Sequence, residues 1–186
     1  MTSRITIDFL NGDTWFYLER LLPDTLSIGF SCRIAEYTDY LFNDAFRSQN
    51  DHVALTWLLR ERSAGKIVAY MSLIMDAIKL SFTEKERHNL NYPFKTIPAM
   101  KIAKLAVDVS SCTKYKGLGS FMIEAAKTKA IFCNEDYCAA RFLTVDADIE
   151  HDSGVIAFYE KNGFAPNAEL FNKNRKTVSM RKDLYS

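Results

Sequence analysis

The chain has no apolar run long enough to span a bilayer, no excess of either charge and no cysteine pair at metal-binding spacing. Each absence removes a class of function. Lys and Arg total 24 against 23 Asp and Glu, a formal net charge of +1, so no global field attracts nucleic acid. Cys32, Cys112, Cys133 and Cys138 lack CxxC spacing and any secretory context, and read as reduced thiols rather than disulfides or zinc ligands. His52, His88 and His151 fall on a strand, a polar segment and a loop and form no metal-ligand set. Met1 to Leu10 carries one Arg and alternates around Ile5, Ile7 and Phe9, a first strand rather than a signal peptide. A cytoplasmic protein is expected, with no membrane partner and no metal.

With 186 residues, 48% hydrophobic and 25% charged, the composition is globular and fits a single domain over residues 1–186, alone or as a homodimer. After the turn Asn11-Gly12-Asp13, Trp15, Leu18, Leu21 and Leu22 recur at helical spacing up to Pro23. Ile34, Tyr37, Leu41, Phe42 and Phe46 mark a second helix. The period then changes: residues 52–61 and 66–75 flank Ser63-Ala64-Gly65 as a hairpin. Ser81 and Glu84 stand at capping-box spacing ahead of a short helix, and Pro93 and Pro98 impose an extended connection.

Residues 100–109, nearly all apolar, predict a central strand buried on both faces. Residues 117–133 predict a long helix with Leu118, Phe121, Met122, Ala125 and Phe132 on its inner face and Glu124, Lys127 and Thr128 outside. Residues 141–148 form a strand, 154–162 a short helix that Gly163 ends, and 175–184 a closing strand. The fold class is α/β (α+β mixed), a twisted mixed sheet of about six to seven strands flanked by helices on both faces, with one parallel crossover through the long helix.

Between central strand and long helix lies LAVDVSSCTKYKGLGSF, where Gly117 and Gly119 open the helix. Glycines there admit close backbone approach, and the NH groups of a helix's first turn attract anions, aided here by Lys114, Lys116 and the Ser120 hydroxyl. A tight strand-to-helix turn explains the same residues equally well. A P-loop is excluded because GxxxxGK[ST] does not occur, and a dinucleotide fingerprint because Met122 stands where its third glycine belongs.

Lys114-Tyr115-Lys116-Gly117-Leu118-Gly119 resembles motif A, [RQ]xxGx[GA], of the GNAT superfamily of acetyl-CoA-dependent N-acetyltransferases. The likeness continues to Phe158-Tyr159-Glu160-Lys161-Asn162-Gly163-Phe164 and covers roughly residues 66–166. IPAMKIAKLAVD and FLTVDA resemble the bacterial subgroup that includes toxin acetyltransferases. Two departures stand out: Lys114 keeps the charge of the usual Arg but not its planar fork, and the loop 109–113 is longer, so pyrophosphate contact should rest on backbone NH groups.

The resemblance implies acetyl-CoA as cosubstrate, held by Leu105, Ala106 and Val107 on the central strand and by residues Lys114, Tyr115, Lys116, Gly117, Leu118, Gly119 and Ser120. It also implies Tyr159 as the general acid for the CoA thiolate, a residue that alone reads as an amphipathic core tyrosine. Relatives place a Glu early on the central strand where this chain has Lys101, leaving Asp146 as the nearest carboxylate, itself open to a structural role. At pH 7.5 an α-amine is roughly a quarter neutral and a lysine amine about 0.1%, so a site without a base suits α-amines. The expected acceptor is an amine of a small molecule or peptide, or else the α-amine of aminoacyl-tRNA, with an antitoxin as partner; a non-catalytic CoA-binding module is the third reading. The NKNRK stretch at residues 172–176, with Arg181 and Lys182, reads either as an RNA contact or as a solvated charged edge strand.

Overall fold

A computed structural model describes residues 7–11, 14–23, 29–167 and 176–186. Its elements run β1 (Ile7–Asn11), β2 (Thr14–Arg20), α1 (Ala35–Asp39), a π-helical turn (Tyr40–Asp44), α2 (Ala45–Asn50), β3 (Leu55–Glu61), β4 (Ile67–Ile78), α3 (Phe82–Arg87) and β5 (Ile97–Val107). They continue with α4 (Val109–Lys114), α5 (Leu118–Asp136), β6 (Phe142–Asp148), α6 (Val155–Lys161), β7 (Ala165–Pro166) and β8 (Thr177–Asp183). The strands hydrogen-bond in the order β1-β2-β3-β4-β5-β6-β8-β7, a mixed sheet in an α/β fold with β7 only two residues long. The chain divides into two compact units, Met1–Ile74 with Ala103–Ala125, and Met75–Ile102 with Ala126–Ser186.

In the first unit β1 to β4 are successive antiparallel partners. The helix expected over Trp15 to Leu22 is instead strand β2, because burial there has period two: Phe16 and Leu18 are buried while Trp15 is 49% exposed. Aromatic and branched residues pairing across a short connection outweighed the accidental helical spacing. The second helical pattern holds, interrupted by one π turn, with Leu41 and Ala45 buried. Both join Leu21, Phe30, Leu58, Ile67, Tyr70 and Ala106 in one core cluster. Gln49 ties α2 to the sheet: its amide donates to the Leu21 carbonyl at 2.8 Å and its amide oxygen accepts from Thr56 N at 3.4 Å.

In the second unit Ser81 and Glu84 form the expected capping box, with Glu84 N donating to Ser81 Oγ at 3.3 Å and Ser81 N to Glu84 Oε2 at 2.8 Å. β5 pairs parallel with β6 from Ala99↔Phe142 to Ile102↔Val145, the crossover expected through α5. β6 pairs antiparallel with β8, which lies between β6 and β7, so β8 is not the edge strand its charges suggested. Gly163 at φ +84 ends α6, with Phe164 N donating to the Tyr159 carbonyl at 3.0 Å.

Two other expectations change. Burial of β5 on both faces holds only near its start, since Ala103 is exposed and Lys104, Leu105 and Val107 are half-buried. Phe132, assigned to the inner face of α5, is 46% exposed, and the buried set is Leu118, Met122, Ile123, Ala125, Ala126 and Ala130.

Candidate active site

The end of β5, the segment after it and the first turn of α5 all lie in the first unit. Ala106 is buried in the core cluster, while Leu105 and Val107 are half-buried. On the same side as Ala106, the Lys104 ammonium sits 4.6 Å from the Tyr37 ring centre and 5.7 Å from that of Tyr40. Tyr70 donates its hydroxyl to the Tyr37 carbonyl at 2.6 Å, and burial pushes its phenol far above the ordinary range.

The long loop expected at residues 109–113 is helix α4. Asp108 causes it. Its extended backbone and carboxylate cap the helix, accepting from Ser111 N at 3.0 Å, Ser111 Oγ at 2.8 Å and Ser110 Oγ at 2.7 Å. The same carboxylate accepts from Lys66 Nζ at 2.7 Å and Ser31 N at 3.1 Å. In the sequence, Asp108 carries the N-cap signal as an Asp directly ahead of the helical residues.

Past α4 the motif alternates between anchors and open backbone. Tyr115 is buried, edge-on to Phe16 at 4.9 Å between ring centres, and Leu118 is 2% exposed. Lys116 and Gly117 are exposed between them. Gly117 has φ +78, a conformation that directs the chain into α5 and that side chains resist. The first bond of the new helix is Phe121 N to the Gly117 carbonyl at 2.9 Å, so the NH groups of Leu118, Gly119 and Ser120 precede the helical ladder. Nineteen residues of α5 place the positive end of its dipole at this turn. Lys114 turns elsewhere: its ammonium lies 3.9 Å from Glu61 and 4.6 Å from the Tyr115 ring centre. The turn presents backbone donors at a helix N-terminus, an arrangement that suits an anion, and around Gly117 a Cβ would meet nothing within 4 Å apart from its chain neighbours. Gly117→Ala should therefore cost about 1–2 kcal/mol from backbone strain rather than collision, read as a lower urea midpoint.

Tyr159 belongs to the second unit. It is 5% exposed on α6, held edge-on by Phe158 at 5.1 Å and Phe164 at 5.3 Å. In the same unit Lys101 and Asp146 form an ion pair, so the carboxylate considered as a base is engaged. Arg181 is buried against Glu84 at 2.7 Å and Asn167 at 2.6 Å, which withdraws it from any RNA contact. Lys176 pairs with Glu150 at 2.9 Å, and residues 172–175 lie outside the described residues. His88 bonds Asp183 at 2.7 Å, His151 bonds Asp148 at 2.9 Å, and His52 occupies a turn, not a strand. Among the described residues no group of three His, Cys, Asp or Glu is placed to hold a metal, and no helix is long and apolar enough to cross a membrane.

No sequence family matches the chain, and no curated protein is significantly similar to it in sequence. Solved structures are similar in fold. AtaT complexed with acetyl-methionyl-tRNAfMet superposes with a TM-score of 0.72 at 18% identity, covering 88% of this chain and 93% of that one. AtaTR bound with AcCoA gives 0.69 at 18% identity over 89% and 93%, and a tyrosine-to-phenylalanine mutant of KacT 0.72 at 15% over 89% and 94%. The chain thus shares the fold of AtaT and KacT, the mixed α/β fold that the motif resemblance implied.

Proposed function

We propose that the protein is an acetyl-CoA-dependent N-acetyltransferase that moves the acetyl group directly to a primary amine. The observation that carries this reading is the backbone anion cradle of Gly117 to Ser120 at the start of α5, immediately downstream of β5, in a fold shared with a protein solved with AcCoA. The cradle's donors fit a pyrophosphate; Lys116 adds positive charge beside it, and Lys114, Tyr115 and Leu118 fix its backbone. Bound acetyl-CoA supplies the acetyl group as a thioester. Leu105, Ala106 and Val107 offer strand backbone to the pantetheine arm, with an NH to stabilise the thioester oxygen as charge develops. Tyr159 holds the proton that the departing thiolate requires.

The acceptor follows from Lys101 and Asp146. With that carboxylate engaged, the amine must arrive neutral, which favours α-amines over lysine side chains. A CoA-release assay across small amines, peptides and aminoacyl-tRNA tests both points. Release should be faster with α-amines and should rise with pH to a plateau near the amine pKa of about 8. Acetyl-CoA binding without release for any acceptor would leave only a CoA-binding module.

A second, narrower reading is supported by the neighbours: AtaT was solved with acetyl-methionyl-tRNAfMet and, as a mutant, with the C-terminus of the antitoxin AtaR. On this reading the acceptor is the α-amine of aminoacyl-tRNA and the partner an antitoxin. Growth arrest on expression, relieved by Tyr159→Phe, is the expected result. Normal growth with intact acetylation of small amines would leave the broader activity standing and remove the toxin.

A further inference from the structure

The last turn of α5 and the segment just after it carry two cysteines, Cys133 and Cys138, that the proposed chemistry does not use. Tyr137 N and Cys138 N both donate to the Cys133 carbonyl, at 3.0 and 2.9 Å, so the backbone folds residue 138 back over residue 133. The two Sγ atoms are 3.2 Å apart, with Cys133 half-buried and Cys138 exposed. The following chain is fixed by Asn134, whose side chain accepts from Ala140 N at 2.5 Å and donates to the Ala140 carbonyl at 2.8 Å and to Tyr185 Oη at 2.5 Å. A disulfide bond is about 2.05 Å long, so the sulfurs need to approach by only about 1.1 Å more.

We propose that Cys133 and Cys138 are a redox-sensitive dithiol that closes to an intramolecular disulfide when the protein meets a peroxide. The Cys138 thiol is pushed up from its ordinary value, first by its hydrogen bond with Cys133, consistent with Cys138 as the donor and Cys133 as the sulfur that reacts first. The Cys133 thiolate attacks one peroxide oxygen; an S–O bond forms, the O–O bond breaks, and hydroxide leaves as water after taking a proton. Cys138 then attacks the sulfenic sulfur, forming S–S and breaking S–O, and a second water carries off the remaining proton. Two thiols thereby lose two electrons and two protons, and one hydrogen peroxide becomes two waters.

The pair lies within one tryptic fragment, residues 130–141, bounded by Lys129 and Arg141. In a Cys32→Ser, Cys112→Ser background treated with dilute hydrogen peroxide, that fragment should become about 2 Da lighter, with both thiols lost together and recovered by dithiothreitol. Adding Cys133→Ser or Cys138→Ser should abolish the lighter species. Stepwise gains of about 16 Da at either sulfur, a disulfide-linked dimer, or an unchanged fragment would each overturn the assignment. The readout is independent of acetyl transfer, so it stands or falls apart from the proposed activity.

Discussion

Tyr159→Phe should lower the turnover of acetyl transfer about 10- to 1000-fold while leaving acetyl-CoA affinity within about threefold. The substitution removes one hydroxyl and keeps the ring that packs edge-on between Phe158 and Phe164, so the α6 terminus and the Gly163 turn stay as they are. A proton needed only as the thiolate departs contributes to the transition state and not to binding. Its loss therefore falls on kcat and leaves KM for acetyl-CoA nearly unchanged. Calorimetry with acetyl-CoA separates the two quantities directly. Unchanged turnover would remove Tyr159 from the mechanism and leave it a core tyrosine; lost affinity would mean that the ring, and not the hydroxyl, shapes the site.

The turn ahead of α5 was legible in the sequence because its backbone geometry is one that only certain residues permit. Glycine at position 117 announces a positive φ, and a helical period beginning at Leu118 announces the exposed NH groups in front of it. What each motif side chain does was not legible. Lys114 reads as a phosphate ligand from its position, yet it turns to Glu61 and the Tyr115 ring, and Tyr115 is a buried anchor against Phe16. The reason is distance along the chain: Glu61 and Phe16 lie far upstream, and no local spacing reports them. The same limit hid the engagement of Asp146 by Lys101, a contact created by parallel pairing of β5 with β6.

The fold divided along similar lines. Elements with strong local signals appeared where expected, as the capping box at Ser81 and the Gly163 helix end illustrate. β2 was lost because Trp15, Leu18 and Leu22 happen to fall at helical spacing, while the pattern that decides it, Phe16 and Leu18 at period two, requires a partner strand to become visible. Arg181 misled in the opposite sense: a charge on a closing strand suggests solvent, whereas burial against Glu84 and Asn167 makes it part of the interior.

Asp108→Ala should be the most destabilising single substitution in the first unit, about 3–5 kcal/mol at neutral pH. Its side chain is 3% exposed and binds groups from three separate parts of the chain: Lys66 at the start of the β4 hairpin arm, Ser31 ahead of α1, and Ser110 and Ser111 in α4. Backbone bonds reinforce the same junction, with Asp108 N donating to Val68 at 2.9 Å and Val109 N to Ser31 at 2.8 Å. Removing the carboxylate orphans the buried Ser111 donors and the Ser31 NH and leaves Lys66 without its counter-charge, whereas Asp108→Asn keeps one acceptor and should cost less than half as much. The charge also sets an acid dependence. Burial alone would raise this carboxyl, but hydrogen bonds from Lys66, Ser110, Ser111 and Ser31 outweigh it and hold it down at about 2, against 3.8 ordinarily. A depressed folded-state value means that the contribution is complete above pH 4 or so and disappears as the pH falls through about 2, amounting to about 2 kcal/mol. The gap in urea stability between wild type and Asp108→Asn should accordingly be constant from neutrality to about pH 5 and close between about pH 4 and 2. An Asp108→Ala protein within about 1 kcal/mol of wild type would show that the junction between β5 and α4 is held by something other than this carboxylate.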